Sequence, residues 1–304
     1  MKGKKLALIS DDGTVEIINN GLKEDEIVKV TKDLSPSQIN RINELTDFKK
    51  FTKEMGGFIH LIYVKSELLF KDIIDGATIS RFLYLATYID WNNKEENVLK
   101  MDSKEYMTKR DMCYILKLSD ATFKRMYKEL LDNNLIFEAN NKIYVSNEYI
   151  NKGKLNKDTL NGKDYCRLFI KPVRELYEGC STSQHKTLAI VYKLLPYINF
   201  YNNIFTHNKN ESETSKLQYM DMGDILNILG ITDVKTNRNK VRDKLMEFYI
   251  YHKGVKYRIF SETEVKKGNK ILVINPLLTW STEDLEQFNK SLTSVLFLPK
   301  IDNA

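Results

Sequence analysis

The groups best suited to chemistry in this chain are lysines and arginines that recur beside hydroxyls in two short stretches. The first holds Thr108, Lys109, Lys117, Ser119, Thr122, Lys124, Arg125 and Lys128, and the second holds Lys235, Thr236, Asn237, Arg238, Lys240 and Arg242. Ammonium and hydroxyl groups near helix starts suit phosphate oxygens, whereas a guanidinium forks onto guanine and a carboxamide onto adenine. Arg125, Arg238 and Asn237 are therefore the candidates for base edges. Lys142, Lys256 and Arg258 follow in strand-like segments, within reach of a flanking phosphate or the minor groove. The chemistry this implies is non-covalent recognition of double-stranded DNA.

For any one amphipathic helix the competing reading is an ordinary solvated face, and the distribution of charge decides against it. Residues 108–128 carry six cations against two carboxylates, net +4, and residues 235–258 carry eight against two, net +6. Together they reach +10, while the whole 304-residue chain carries +6, so everything else nets −4. Positive charge gathered on two elements is the footprint of a polyanion-binding surface. The basic stretch 152–163 reads either as a further backbone contact or as a solvated linker.

Other residue types point away from catalysis. Cys113, Cys166 and Cys180 lack any C-x-x-C spacing, and His60, His185, His207 and His252 lie far apart in the chain. There is no P-loop, H-E-x-x-H or G-x-S-x-G. The expectation is a protein that is not an enzyme, with no metal and no cofactor, its thiols reduced in the cytoplasm. Cys113 and Cys180 read as small buried or half-buried apolar residues. No apolar run approaches the roughly 18 residues of a membrane span, so no membrane partner is expected. Trp91 and Phe200 close two matching helices and read as packing groups, with stacking on single-stranded DNA as the alternative.

The elements that must position these residues occur twice. At a constant offset of 113, Met107/Met220, Asp111/Asp224, Ile115/Ile228, Leu116/Leu229 and Asp120/Asp233 are identical. Each copy reads as helix, loop, short helix, tight turn, longer helix and β-hairpin. In the first, Thr108 caps a short helix to Leu116, and Lys117, Leu118 and Ser119 form the turn. A longer helix then runs to about Asp132 and stops at Asn133-Asn134. Its Phe123, Met126, Tyr127, Leu130 and Leu131 form one apolar stripe. The second copy buries Val241, Leu245, Phe248 and Tyr249 and continues as a β-ribbon from Tyr249 to Pro276.

This is the winged helix-turn-helix pattern, with the second helix placed for the major groove and the hairpin as the wing. The expected fold is α+β and mainly helical, with two tandem winged helix-turn-helix domains from an internal duplication. A small N-terminal β-hairpin and helix segment precedes them. It has two strands around an Asp12-Gly13 turn and a helix from the Ser35-Pro36-Ser37 cap to about Phe48. The expected domains are 1–50, 51–155 and 156–280, with a C-terminal helix and tail over 281–304.

Met107-Thr-Lys-Arg-Asp, Leu118-Ser-Asp-Ala-Thr-Phe-Lys-Arg, Glu129-Leu-Leu-Asp-Asn-Asn-Leu-Ile-Phe and Ile143-Tyr-Val-Ser-Asn-Glu-Tyr-Ile-Asn-Lys-Gly-Lys carry a resemblance. They resemble the winged-helix core of replication proteins from plasmids and phages of low-GC Gram-positive bacteria. The second copy has the Asn275-Pro276 pair that often follows the wing in that group, while the first has Asn147 without the proline. The resemblance spans about 55–280, and 1–50 matches nothing in the group. It implies an origin-binding replication initiator that binds double-stranded DNA through both copies, recruits a host helicase or loader, and forms a homodimer. Two other roles use the same fold: a transcriptional regulator, and a partner-binding adaptor in which one copy no longer touches DNA.

Overall fold

Short local signals account for most elements of the structure. It is a computed structural model that describes residues 6–9, 15–18, 35–63, 70, 74–90, 97–153, 155, 165–266, 269–282 and 297. The fold is α+β, with small antiparallel sheets. Two compact units divide after Phe51. In the unit built on residues up to Phe51, β1 (Leu6–Ile9) pairs with β2 (Val15–Ile18), Leu6 opposite Ile18 and Ile9 opposite Val15. The Asp12-Gly13 turn lies outside the described residues. Helix α1 (Pro36–Glu54) starts on a proline, whose missing N–H costs nothing there, and runs past Phe48 to Glu54. Gly56 and Gly57, at φ +74° and +87°, end it in the left-handed region open to glycine.

The second unit, from Thr52 to Thr282, begins with β3 (Phe58–Ile62). Trp91, most of the 152–163 linker and most of 281–304 lie outside the described residues. Helix α2 (Gly76–Ala86) is buried on nearly every side. Asp75 caps it by accepting from Ala77 N at 2.9 Å. There follow β4 (Ile89–Asp90), β5 (Val98–Leu99), α3 (Lys109–Ile115), α4 (Asp120–Asp132), β6 (Ile136–Ala139), β7 (Lys142–Val145) and β8 (Ile150–Asn151). The sheet order is β4-β5-β7-β6, so the strand before α3 pairs with the second strand of the hairpin after α4. Asn140 and Asn141, both at positive φ, close that hairpin in the mirror-image turn that suits strand twist. Glu129 of α4 accepts from Asp75 N at 2.8 Å and Thr78 Oγ1 at 2.6 Å, fastening α4 to the start of α2.

The later elements are β9 (Tyr165–Phe169), α5 (Ile170–Glu178), α6 (His185–Leu194), α7 (Met222–Ile228), α8 (Lys235–Met246), β10 (Tyr249–His252), β11 (Val255–Arg258), β12 (Phe260–Lys266) and β13 (Asn269–Ile274). Two departures from the expected pattern stand out. Six residues separate α7 from α8, against four between α3 and α4. The buried Met126 and Leu130 of α4 therefore correspond to Val241 and Leu245 of α8 at an offset of 115, not 113. The ribbon from Tyr249 to Pro276 is also two hairpins rather than one. Lys253 and Gly254, at φ +50° and +78°, turn the chain back after only four residues, pairing β10 with β11. The longer hairpin is β12–β13, with Phe260 opposite Ile274. Its second strand lies beside residues 203–206: Ile274 N donates to Asn203 O at 3.0 Å.

Elements from both ends of this unit interlock. Strand β3 sits between β8 and β9, in the order β8-β3-β9. Helix α2 packs along α6, close enough that a Cβ on Gly76 would lie 3.3 Å from the Ala189 methyl. Ser80 Oγ donates to His185 O at 2.7 Å. Arg174 of α5 stacks 3.9 Å over the Tyr88 ring, donates to Thr87 Oγ1 at 3.0 Å and pairs with Asp102 at 3.0 Å. No helix among the described residues is long and apolar enough to cross a membrane.

Candidate nucleic-acid interface

The α3–α4 face is built by a reciprocal cap and a tight turn. Thr108 caps α3: its Oγ1 accepts from Asp111 N at 3.2 Å while Asp111 Oδ2 accepts from Thr108 N at 2.9 Å. Hydrogen bonds from the Thr108 hydroxyl and amide hold the Asp111 carboxyl below the usual carboxylate range. Lys117 then takes a left-handed conformation, φ +53°, that turns the chain into α4. Ser119 occupies the N-cap, and its hydroxyl donates to Thr122 Oγ1 at 3.0 Å instead of capping the backbone. On α4, Phe123, Met126, Tyr127 and Leu130 are buried, and Leu131 is half-buried.

That burial leaves Lys124, Arg125 and Lys128 exposed, and among the described residues no carboxylate pairs with any of them. Lys109 is engaged: it pairs with Glu138 of β6 at 2.8 Å, and Tyr127 donates its hydroxyl to the same carboxylate at 2.8 Å. The Lys109 ammonium, and then the Tyr127 hydroxyl, hold the Glu138 carboxyl low. Lys142, on β7, lies 4.1 Å over the Tyr106 ring and donates to its hydroxyl at 3.0 Å.

The α7–α8 face is differently arranged. Asp221 caps α7, accepting from Gly223 N at 2.7 Å and Asp224 N at 3.0 Å. Lys235, Thr236 and Lys240 are exposed. The side chains assigned to base edges are occupied: Arg238 forks onto Asp233 at 2.5 and 2.6 Å, and Asn237 donates to Thr232 O at 2.8 Å. Arg242 donates to Glu262 of β12 at 2.7 Å. Lys256 and Arg258 lie on β11, in the short hairpin and not at the base of β12–β13, and Lys256 sits 4.1 Å over the Tyr249 ring. The structure thus leaves Thr108, Lys117, Ser119, Lys124, Arg125 and Lys128 exposed and Thr122 half-buried, and it brings Lys117, Lys124 and Lys128 around one groove. Much of the second set is held in local pairs.

A groove between α3 and α4 was not read from the sequence. It encloses about 850 Å³, and Cys113, Tyr114, Leu118, Phe123, Tyr127 and Leu131 form its apolar lining. Tyr114 is 81 % exposed. The available signal was the placement of Cys113 and Tyr114 on the wet side of a helix whose Met112 is buried.

The remaining chemistry is structural. His60 and His185 are buried, and desolvation pushes each imidazole down to about 4, so both are neutral core residues. Among the described residues no three or more His, Cys, Asp or Glu side chains cluster as metal ligands. Burial raises the Cys113 thiol, and Cys166 is fully buried. Phe200 packs edge-on against Tyr165 and Tyr201. No family model, curated protein or solved structure matches this chain.

Proposed function

We propose that the chain is a sequence-specific double-stranded DNA-binding protein made of two tandem winged helices, acting as a plasmid or phage replication initiator. The observation that carries the binding reading is the open cationic face of Lys124, Arg125 and Lys128 on α4. It is set on a helix-turn-helix whose following hairpin pairs back onto the preceding strand. That connectivity supports the winged-helix reading, and the β12–β13 hairpin beside residues 203–206 supports a second copy after α8. The choice of initiator over regulator rests on the resemblance of residues 107–154 to replication proteins.

Phosphate contacts release counterions, so binding should weaken steeply with salt. Replacing Lys124, Arg125 and Lys128 together with Ala should flatten the plot of log K against log salt by about 0.9 for each phosphate no longer neutralised. Lys235→Ala with Lys240→Ala should do the same for the second face. Unchanged slopes in both variants would sink the DNA reading. Footprinting then separates the roles: direct repeats beside an AT-rich stretch mark an origin, and a single palindrome over a promoter marks a regulator.

A further inference from the structure

We propose that the α3–α4 groove is a docking site for an acidic amphipathic helix on a partner protein. The inference does not depend on the DNA reading, although Lys124 and Lys128 belong to both surfaces. The groove is a concave apolar channel under a cationic rim. On α4 it is lined by positions 120, 123, 124, 127, 128 and 131, a single stripe about three turns long. On α3 it is lined by positions 109, 110, 113, 114 and 117. Its floor is aromatic and aliphatic, and Arg110, Lys117, Lys124 and Lys128 stand around it with Asp120, while Lys109 beside them is tied to Glu138.

The charge selects an anionic partner, and the floor selects among anions. A DNA duplex offers phosphates to the rim but has no apolar ridge to fill a channel of this size. A helix with leucines on one face and carboxylates on its flanks satisfies both, which is how helix-in-groove recognition works. An exposed apolar surface under polar rims is otherwise a liability in water.

The second helix-turn-helix sharpens the point. At the offset of 115, Phe123 and Tyr127 are replaced by Arg238 and Arg242, each tied to a carboxylate. At the offset of 113, Tyr114 is replaced by Asn227 and Lys117 by Gly230. The corresponding surface there is polar and locally neutralised, so the docking chemistry belongs to the α3–α4 pair.

The test uses the full chain and a fluorescent synthetic helical peptide of about five turns, with Leu on one face and Glu elsewhere. A scrambled peptide of the same composition, lacking the stripe, and a short DNA duplex serve as comparators. The striped peptide should bind at least about tenfold tighter than the scramble, and Tyr114→Ser and Leu131→Ser should each weaken it about five- to tenfold. Both side chains reach solvent, so neither change should unfold the protein. Bound peptide should also slow alkylation of the Cys113 thiol, which lines the groove, and leave that of Cys180 unchanged. Equal binding of striped and scrambled peptides, or unprotected Cys113, overturns the proposal. So does a fall in duplex binding by Tyr114→Ser that matches its fall in peptide binding, since that would make the groove part of a DNA surface.

Discussion

His60 and His185 are 4 % and 2 % exposed, and among the described residues the Nδ1 of each has no hydrogen-bond partner. Burial, with Arg167 beside His60 and Arg81 beside His185, holds both imidazoles near 4 against an ordinary 6.5. The unfolded chain therefore takes up two protons, as pH falls from 6.5 toward 4, that the folded chain refuses. Stability should be unaffected by these groups above 6.5, fall by up to about 3 kcal/mol for each histidine across that interval, and level off below it. Urea denaturation across the range checks this. His185→Phe, which keeps the stack on Tyr177 at 4.2 Å, should remove one of the two contributions. Local residue chemistry was legible in the sequence: the Thr108 cap needs only Asp111 three residues on. Pairings set by tertiary geometry were not. Arg242 meets Glu262 across twenty residues, and Lys109 of α3 meets Glu138 of β6 with the whole of α4 between them in the chain.

At the scale of elements, turns decided what could be read. Asn133-Asn134 was legible as a helix stop because asparagine tolerates the left-handed region that Asn134 adopts at φ +54°. Asn140-Asn141 was legible as a hairpin tip for the same reason. Asn141, at φ +58°, occupies the second turn position, where glycine is preferred. Asn141→Gly should stabilise the protein by about 0.5 kcal/mol, and Asn141→Val should destabilise it by about 1–2 kcal/mol. Thermal melts of the two variants should move in opposite directions. The second half was harder to read because two extra residues between α7 and α8 slip the register behind an apparently perfect match. Asp120 is the first residue of α4, but Asp233 falls before α8, where it is free to clamp Arg238. The Lys253-Gly254 turn hid in the sequence because Lys is an unusual occupant of a positive-φ position.

At the scale of the second unit, α2 against α6, the β8-β3-β9 sheet and Arg174 hold its earlier and later elements together. On the DNA-binding reading proposed above, a locked pair would present its two faces at one fixed spacing. If both faces bind, half-sites about one helical turn apart, roughly 10–10.5 bp, should be preferred. Inserting about half a turn between them should cost far more affinity than inserting a whole turn. Arg174→Ala should soften that penalty, and gel-shift titration over a series of spacings measures it. None of this locking is legible in local sequence, since it depends on strands more than 100 residues apart.

The shared strand also has a consequence for how the protein is made. Chain synthesis delivers β3 first and β9 about 100 residues later, an interval of roughly 5–20 s at ordinary elongation rates. Until then one edge of β3 stays open. Two of its apolar residues, Ile59 and Leu61, become fully buried only in the finished protein. The nascent chain thus carries an unpaired, sticky edge while the residues between β3 and β9 are made. Synonymous changes that slow elongation between codons 63 and 165 should lower soluble yield without altering a single residue of the product.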